Sequence, residues 1–469
     1  MVDHKDTLIS DQVIADPDHV RDILAQRVRE VLRATRGKSD RHIERLVVRI
    51  PTGNPFSWLR AQQHFPRIYW QGRDDDFVTA AVGSADVCFG GRGADYADLR
   101  RQLDAVLPIS DVRVRYFGGF RFDRNRAASP EWESFGTFTF VLPRFEFLAS
   151  PDGAVLACNL ILPRDAERFD DIQKEIASLR FVGEEPGGSV PTPISRVDVP
   201  DADGWKRNVQ WSLDAFRSDE LQKIVLARRV QFGFAEPVNA LMLLEALEAA
   251  TDNCFVFGFQ FAEDGAFVGA TPERLFRRDG RRIWTEAVAG TRPRGSTPQE
   301  DEERLRSLME SDKDQREHTY VRVSIRDALA PLCSNFHIED EASAMKLPRN
   351  WHLVSRCQGT VLPGVHGSDV MRALHPTPAV GGHPTETAIE AIRALEPFDR
   401  GWYTGPVGWI GAQAAEFAVA LRCGLVRDTE LSLYSGAGIV EGSNPDSEWA
   451  EIEQKLGDFI KVLDLEYRG

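Results

Sequence analysis

The sequence predicts an α+β protein, and three observations lead to this prediction. Segments typical of β-strands are concentrated between residues 44 and 162, where short apolar runs are broken by Gly, Pro and Asp. Longer segments with helical periodicity lie at residues 19–36 and, for the most part, beyond residue 200. The two kinds of segment do not alternate regularly, as the strands and helices of a parallel βαβ sheet would.

The composition is that of a globular protein with a large core. Of 469 residues, 42% are hydrophobic and 28% charged, which allows one large domain or about two to three ordinary ones. The 72 acidic residues outnumber the 57 basic ones, and the net charge of −15 argues against nonspecific binding to nucleic acid or anionic membranes. A small anionic substrate is compatible with this charge, because a local cluster of Arg and Lys can oppose the overall sign.

No sequence feature directs the chain to a membrane or to secretion. No apolar run reaches the 18 residues of a membrane span, and residues 1–14 are charged and lack the apolar core of a secretory signal. None of the six cysteines forms a CxxC pair, which is typical of small buried side chains in a reducing compartment. We therefore expect a cytoplasmic protein.

The elements of the N-terminal part can be assigned in order. Val20, Leu24 and Val28 lie on one face of an amphipathic helix predicted at residues 19–36. Strands are predicted at residues 44–50, 77–82, 134–142, 144–148 and 154–162. A segment rich in Gly, Pro and Asp at residues 182–205 predicts a linker or a long loop. The sequence alone therefore suggests two parts, residues 1–200 and residues 201–469.

The C-terminal part mixes helices and strands. Its helices are predicted at residues 203–217, 238–250, 297–333 and 446–465. Its strands are predicted at residues 223–230, 254–261, 265–270, 403–410, 416–426 and 431–439.

Two pairs of carboxylates occur on predicted helices. Asp314 and Glu317 are three residues apart, as are Glu448 and Glu451, so each pair projects from one helix face. Four carboxylates from two helices supply the oxygen ligands that Mg²⁺ prefers, although such pairs also occur on solvated helix faces. A di-iron site is disfavoured, because it needs a carboxylate three residues before a histidine on two helices, and His318 directly follows Glu317.

Four further polar residues stand beside apolar runs. Lys223 opens the strand KIVLA, where it is either a half-desolvated base or an ordinary lysine at a strand edge. Glu273 follows Thr-Pro in GATPERLF, a position that also suits a helix N-terminal carboxylate. His352 and Arg422 lie within apolar runs and need a partner from the protein or from a ligand.

Two glycine-rich segments, at residues 290–295 and 434–443, predict turns next to strand ends. Backbone amides left free at such turns can bind an anion. Neither segment fits the glycine patterns of nucleotide-binding loops, so a nucleotide cofactor is not expected.

Seven motifs occur in a characteristic order along residues 200–469. They are KIVLARR, GATPERLF, AVAGTRPRG, SDKDQREHTYV, WHLVSR, HPTPAVGG and GAGIVEGSNPDSEWAEIEQK. Together they resemble the chorismate-binding domain shared by isochorismate synthase, salicylate synthase, anthranilate synthase component I and aminodeoxychorismate synthase component I. The N-terminal segment NPFSWLRAQQHFPRIYWQGRDD is similar to isochorismate synthases of the menaquinone type. The resemblance implies one large α+β domain of two packed antiparallel β-sheets with helices outside, to which residues 1–200 contribute strands.

The resemblance also implies roles for individual residues. Lys223 matches the lysine that activates water, and Glu273 matches the general acid. The residues that match the Mg²⁺ site are Glu317 and Glu451 as the usual ligands, with Asp314 and Glu448 lining the same site. The residues that match the substrate pocket are Thr291, His352, Ala379, Tyr403, Arg422, Gly436, Gly438 and Lys455, of which Arg422 and Lys455 hold the substrate carboxylates.

Single residues distinguish the members of this family. Lys223 favours water as the nucleophile, because members that use ammonia generally carry Gln there. Ala289 stands where aminodeoxychorismate synthases carry a nucleophilic lysine, and Ala379 stands where members with lyase activity usually carry Thr. Asp314 replaces a glutamate that is common in relatives, and its shorter side chain suits contact with the metal through water.

The resemblance therefore implies a Mg²⁺-dependent isomerase, an isochorismate synthase. It would convert chorismate reversibly to isochorismate by adding water at C2 and losing the C4 hydroxyl, for menaquinone or siderophore biosynthesis. The alternatives are a lyase making salicylate and pyruvate, which Ala379 disfavours, and a non-catalytic chorismate-binding protein, which the pairing of Lys223 with Glu273 disfavours. Water as the nucleophile implies no amidotransferase subunit, and the sequence is compatible with a monomer or a homodimer.

Overall fold

The structure is a computed structural model of the chain. It describes residues 6–10, 12–37, 42–74, 77–107, 114–181, 190–346, 350–463 and 465. In that part of the chain, no helix is long and apolar enough to cross a membrane.

The described residues form eleven α-helices and twenty-one β-strands. The helices are α1 Pro17–Thr35, α2 Pro55–Ala61, α3 Tyr96–Asp104, α4 Phe169–Ala177, α5 Ala202–Phe216, α6 Ala240–Ala250, α7 Pro298–Met309, α8 Asp312–Leu329, α9 Gly367–Leu374, α10 Thr385–Leu395 and α11 Pro445–Val462. The strands up to residue 200 are β1 Thr7–Ser10, β2 His42–Ile50, β3 Arg67–Gln71, β4 Val78–Gly90, β5 Tyr116–Phe120, β6 Phe138–Ser150, β7 Gly153–Leu162 and β8 Ser195–Val199. The later strands are β9 Lys223–Gly233, β10 Phe255–Ala262, β11 Gly265–Thr271, β12 Arg274–Asp279, β13 Arg282–Pro293, β14 Cys333–Ile338, β15 Ser343–Lys346, β16 Asn350–Val361, β17 Gly382–His383, β18 Pro406–Ile410, β19 Ala414–Val419, β20 Cys423–Arg427 and β21 Glu430–Val440.

All of these strands belong to one hydrogen-bonded network with two arms. The long strand β6 is the branch point, because it pairs with β4 along its length, with β5 near its start and with β7 near its end. From β4 the first arm continues through β3, β10, β11, β20, β21 and β9. From β5 the second arm continues through β18, β19, β12, β13 and β16. The pairings are antiparallel except that of β1 with β2, which is parallel.

An aromatic core joins the two arms. Phe257 and Phe267 of the first arm meet Phe117 and Trp409 of the second in one buried cluster, together with Trp402. Helices cover the outer faces: α1, α4 and α6 contribute to the core on one side, and α3, α8, α9 and α10 to the core on the other. The molecule is thus a pair of antiparallel layers with helices outside, as the sequence predicts.

Strands from the N-terminal part are built into both arms. In the first arm β3 pairs with β10, and β8 pairs with β9. In the second arm β5 pairs with β18. Strands from both parts of the chain therefore lie side by side in the same layers.

The prediction of a linker or long loop at residues 182–205 is wrong for the second half of this segment. Residues 182–189 lie outside the described residues, but β8 and the start of α5 occupy most of the rest. The alternating segment SRVDV pairs with β9 as an edge strand, and Asp201 caps α5 by accepting a hydrogen bond from the Gly204 amide.

Four other predictions need correction. The single helix predicted at 297–333 is two helices, because the Ser311 side chain accepts a hydrogen bond from the Asp314 amide and starts α8. The strands predicted at 134–142 and 144–148 are one strand, in which Pro143 lies beside an irregularity of β4. The strand predicted at 416–426 is two strands, β19 and β20. In the predicted turn at 434–443, Gly436 and Gly438 lie inside β21 and pair with β9, and only Gly442 lies in a turn, after the strand.

Candidate active site

A cavity of about 350 Å³ collects the candidate residues. Helices α8 and α11, strands β13, β16 and β21, and the segments preceding β12 and β20 form its wall. The candidate residues that line it are Glu273, Thr291, Asp314, Glu317, His352, Ala379, Tyr403, Arg422, Gly436, Gly438, Glu448, Glu451 and Lys455. Residues separated by up to 182 positions, from Glu273 to Lys455, therefore share one wall.

Lys223 does not line the cavity itself, but it contacts Glu317, which does. It is the first residue of β9, its side chain is 3% exposed, and its Nζ donates a hydrogen bond to Glu317 Oε1 at 2.7 Å. Burial opposes ionisation of Glu317, but the charge and the hydrogen bond of Lys223 outweigh it and hold the pKa of the carboxyl below its usual value.

The pair packs closely against Gly438, which has no side chain. A Cβ at this position of β21 would lie 3.2 Å from Lys223 Cε and 3.3 Å from Glu317 Oε1. Gly438 pairs with Val225 in the ladder between β21 and β9, so its backbone has little freedom to move away. Glycine at this position thus suits the close approach of two side chains and not a turn.

Glu273 lies in the two-residue link between β11 and β12, so the alternative of a helix N-terminal carboxylate is wrong. Burial and the negative charge of Glu286 raise its pKa to about 7, and the charge of Lys223 partly opposes them. A carboxyl group with this pKa carries its proton about half of the time at neutral pH. It is therefore able to donate a proton to a bound molecule at physiological pH.

Two cations face the cavity near β21. Among the described residues, no side chain or carbonyl accepts a hydrogen bond or forms an ion pair with the Arg422 guanidinium. The Lys455 Nζ donates to Gly436 O at 3.1 Å and to Glu451 Oε1 at 2.6 Å. An unpaired guanidinium beside an ammonium is suited to binding the carboxylate of a small anion.

His352 and Thr291 form a neutral polar pair on adjacent strands. They face each other across β13 and β16, and the Thr291 hydroxyl lies 3.0 Å from His352 Nδ1. Burial, followed by the charges of Arg422 and Lys455, lowers the pKa of His352 to about 4. The imidazole is therefore uncharged at neutral pH, and it serves as a hydrogen-bonding group beside the cations.

Tyr403 and Ala379 complete the wall. Tyr403 is buried and stacks on Tyr434 with ring centroids 5.2 Å apart, and burial raises the pKa of its hydroxyl. A Cβ at Gly436 would lie 2.9 Å from the backbone oxygen of Leu226 and 3.0 Å from this hydroxyl, so glycine suits that strand position as well. Ala379 contributes only a methyl group to the cavity.

The four candidate carboxylates, two on α8 and two on α11, face the cavity. Glu317 and Glu451 accept from Lys223 and Lys455, and Asp314 accepts from Arg292 Nη2 at 2.6 Å. Burial raises the pKa of Glu448; a hydrogen bond from Ser443 opposes this shift, and the charge of Glu451 adds to it. No three or more His, Cys, Asp or Glu side chains of the described chain are grouped closely enough to hold a metal ion.

The donor set nevertheless fits a hard divalent cation. Carboxylate oxygens from two helices line the same cavity, and they include the buried Glu448 beside the charge of Glu451. A cation would relieve that like-charge repulsion, and oxygen ligands of this kind suit Mg²⁺. Binding would require Glu317 and Glu451 to turn from their lysine partners towards the ion.

The sequence interpretation missed Arg292, which holds Asp314 and lines the cavity. Its motif, residues 290–295, was interpreted as a turn, but residues 290–293 belong to β13, with an irregularity between Ala289 and Thr291. The signal available in the sequence was a basic residue within a candidate anion-binding segment. Only the packing of β13 against α8 pairs it with Asp314.

Comparisons with known proteins agree with this architecture. Residues 29–464 match the family model described as chorismate binding enzyme. The chain is 31% identical to isochorismate synthase MenF of Pasteurella multocida, over 95% of this chain and 99% of the relative. It is 34% identical to a chloroplastic isochorismate synthase of Catharanthus roseus, over 87% of this chain and 72% of the relative.

A solved structure shares the fold. The menaquinone-specific isochorismate synthase MenF of Escherichia coli superposes with a TM-score of 0.80 at 29% identity, covering 94% of this chain and 99% of that one. The matches span both the N-terminal strands and the cavity. The chain therefore belongs to the chorismate-binding enzyme family, together with the isochorismate synthases that it resembles along its length.

Proposed function

We propose that this protein is an isochorismate synthase, which converts chorismate to isochorismate in the cavity described above. One observation carries the proposal: the proton donor Glu273, the carboxylate Glu317 with its buried partner Lys223, and Arg422, which has no ion-pair partner among the described residues, meet at one cavity. This combination suits a reaction in which an anionic substrate is held while one hydroxyl group enters and another leaves. The similarity to isochorismate synthases along the length of the chain supports it.

The substrate is held by charge and by hydrogen bonds. Chorismate carries two carboxylates, and Arg422 and Lys455 are the cations placed to bind them. The uncharged His352–Thr291 pair and the Tyr403 hydroxyl add neutral hydrogen-bonding groups. Thr291 and His352 lie on paired strands, and Tyr403 is buried in the core, so they can hold the ring in one orientation without large rearrangement.

The reaction exchanges one hydroxyl group for another. The oxygen of a water molecule bonds to C2, the proton of that water passes to the Lys223 amine, and the ring double bonds shift. The C4–O bond breaks, and Glu273 gives its proton to the departing hydroxide, which leaves as water. General acid and base groups contribute roughly 10²–10⁴-fold each in such reactions.

Lys223 is available as a base only when Glu317 has another partner. In the structure the Lys223 Nζ donates its hydrogen bond to the Glu317 carboxylate, so it is directed at this partner and not at a water molecule in the cavity. A change in the orientation of Glu317 towards the cavity would leave the amine free to accept a proton from water.

We propose that Mg²⁺ is held by Glu317 and Glu451, with Glu448 and Asp314 completing the site. When bound, Mg²⁺ would neutralise a substrate carboxylate and fix its orientation. The like-charge pair Glu448 and Glu451 supports this assignment.

The product is proposed to serve menaquinone biosynthesis. The similar structure from Escherichia coli is described as menaquinone-specific and covers 94% of this chain. With water as the nucleophile, no amidotransferase subunit is required.

The direct test is to incubate the purified protein with chorismate, with and without Mg²⁺, and to identify the products by chromatography and mass. Isochorismate that appears only with Mg²⁺, is lost in Lys223→Gln and is retained in the exposed control Lys206→Gln would support the proposal. Salicylate with pyruvate would establish a lyase. Chorismate binding without turnover would establish a non-catalytic binding protein.

A further inference from the structure

A residue from the N-terminal part of the chain supports the segment that carries Glu273. Arg73 lies in the loop after β3, and its side chain is 9% exposed. Its Nη1 donates a hydrogen bond to the carbonyl oxygen of Pro272, the residue before Glu273, at 2.8 Å. The guanidinium therefore holds the peptide from which the proposed acid extends.

The same guanidinium binds Glu286, the carboxylate whose charge acts on Glu273. Arg73 donates to both carboxylate oxygens of Glu286, at 2.9 Å and 2.6 Å. Glu286 lies on β13 and is 11% exposed, so this bidentate pair is largely shielded from solvent. One arginine thus fixes both the backbone of Glu273 and its charged neighbour.

Other charged groups around Glu273 come from three elements. Lys223 acts on it from β9, and Glu286 acts on it from β13. Arg274, the next residue in β12, lies 3.6 Å from Glu286 but gives its hydrogen bonds to Asp74 and Glu416. Arg73, which donates two hydrogen bonds to Glu286, is therefore the nearer of the two arginines that balance its negative charge.

We propose that Arg73 is a positioning residue for Glu273, which it orients through Pro272 and whose electrostatic environment it sets through Glu286. The inference rests on the proposed function, in which Glu273 is the general acid. Arg73 is absent from the cavity wall, so it acts through Glu273 and not on the substrate.

Loss of Arg73 and loss of Glu286 should move the pH profile in opposite directions. Without Arg73, Glu286 keeps only the more distant Arg274, so more of its negative charge acts against ionisation of Glu273 and activity should persist to higher pH. In Glu286→Gln the negative charge near Glu273 is removed while the Arg73 guanidinium stays. Glu273 should then lose its proton at lower pH, and activity should fall at lower pH. A residue that served only stability would lower activity at every pH by the same factor.

The experiment measures kcat and KM against pH for wild type, Arg73→Met, Arg73→Lys and Glu286→Gln. The control is Arg393→Met, which removes another bidentate arginine–carboxylate pair, with Asp123, away from the cavity. In Arg73→Met we expect kcat to fall roughly 10- to 100-fold, because small misplacements of reacting groups have effects of that size. KM for chorismate should stay within about twofold, and Arg73→Lys should recover part of kcat.

The inference would be overturned if the alkaline limbs of the pH profiles coincide in wild type, Arg73→Met and Glu286→Gln. It would also be overturned if kcat of Arg73→Met equals that of the Arg393→Met control. If Arg73→Met does not fold, the nearly isosteric Glu286→Gln still decides the direction of the shift. Glu273→Gln separates this inference from the proposed function. Full activity of Glu273→Gln would show that Glu273 is not the general acid, which would contradict the proposed function. If Glu273→Gln is inactive but the alkaline limbs of Arg73→Met and Glu286→Gln are unshifted, only the role of Arg73 is contradicted.

Discussion

At the scale of single residues, the site depends on groups whose neighbours change their chemistry. Glu273 lies within the electrostatic influence of Lys223 and Glu286, and its raised pKa results from burial and from the like charge of Glu286. His352 is uncharged for the opposite reason, since burial and nearby cations lower its pKa. The same side chains in solvent would be a carboxylate and a partly charged imidazole at neutral pH.

Activity should fall as the pH rises through about 7, where Glu273 loses its proton. The proton must be present for the leaving hydroxide to depart as water, so only the protonated fraction of the enzyme is active in the forward direction. Glu273→Gln should remove this alkaline limb and lower kcat by about 10²–10⁴-fold. Rates measured between pH 5 and 9 in both proteins check this, and an unchanged limb in Glu273→Gln would assign it to another group.

Gly438→Ala should lower turnover while leaving the protein folded. The added methyl group would displace the Lys223–Glu317 pair, which it would approach to 3.2 and 3.3 Å. Gly457→Ala in α11 is the matched control, because a Cβ there meets no atom within 4 Å. Turnover and thermal unfolding of both variants are the measurements, and a fully active Gly438→Ala would show that the close approach is unimportant.

At the scale of elements, two helices bring the carboxylates to the cavity. The i, i+3 spacing places Asp314 with Glu317 on α8, and Glu448 with Glu451 on α11. Helix α11 is held against β9 by Arg228, which is fully buried, binds Glu453 at 2.6 Å and stacks on Trp449. Because β9 also carries Lys223, this contact fixes the helix relative to the proposed base.

Glu451→Gln should raise the Mg²⁺ concentration needed for half-maximal activity by at least about tenfold, because it removes a charged oxygen ligand. Asp446→Asn, an exposed change in the first turn of the same helix, is the control for lost negative charge on α11. Titration of activity with Mg²⁺ after chelation measures the effect. Equal Mg²⁺ requirements in the two variants would contradict the assignment of Glu451.

At the scale of the whole molecule, the two layers are shared between distant parts of the chain. Strand β3 pairs with β10, and β5 pairs with β18, so N-terminal strands cover edges that later strands would otherwise expose. The chain carries a net charge of −15 and acidic side chains also line the cavity, but the cations Arg422, Lys455 and Arg292 face it and can contact an anion directly. An acidic protein can thus hold an anionic substrate.

A fragment of residues 201–469 should not fold by itself, although it contains the candidate residues of the cavity. Its strands would lack their partners β3, β5 and β8, and the aromatic core would lose the side chains of β3 and β5. Circular dichroism, size-exclusion chromatography and activity of the fragment, alone and co-expressed with residues 1–200, are the measurements. A soluble, active fragment would show that the C-terminal part is an independent domain.

The sequence by itself determined the fold class, the family and the candidate residues that line the cavity. These follow from local properties: helical periodicity at residues 19–36, i, i+3 carboxylates on helices, and short motifs whose order is read along the chain. The break at Ser311 and the strand at residues 195–199 were missed, because capping and edge pairing compete with local propensity only once neighbouring elements are present.

Only the tertiary structure decided how these residues interact. It joined Lys223 to Glu317, Arg292 to Asp314 and Arg73 to Glu286, pairs that are 94, 22 and 213 positions apart. It also showed that Gly436 and Gly438 are strand residues whose missing side chains make room for Tyr403 and for the lysine–carboxylate pair. Ion pairing and desolvation depend on distances of a few ångströms between remote segments. A linear pattern of residue types does not contain those distances, so they had to come from packing.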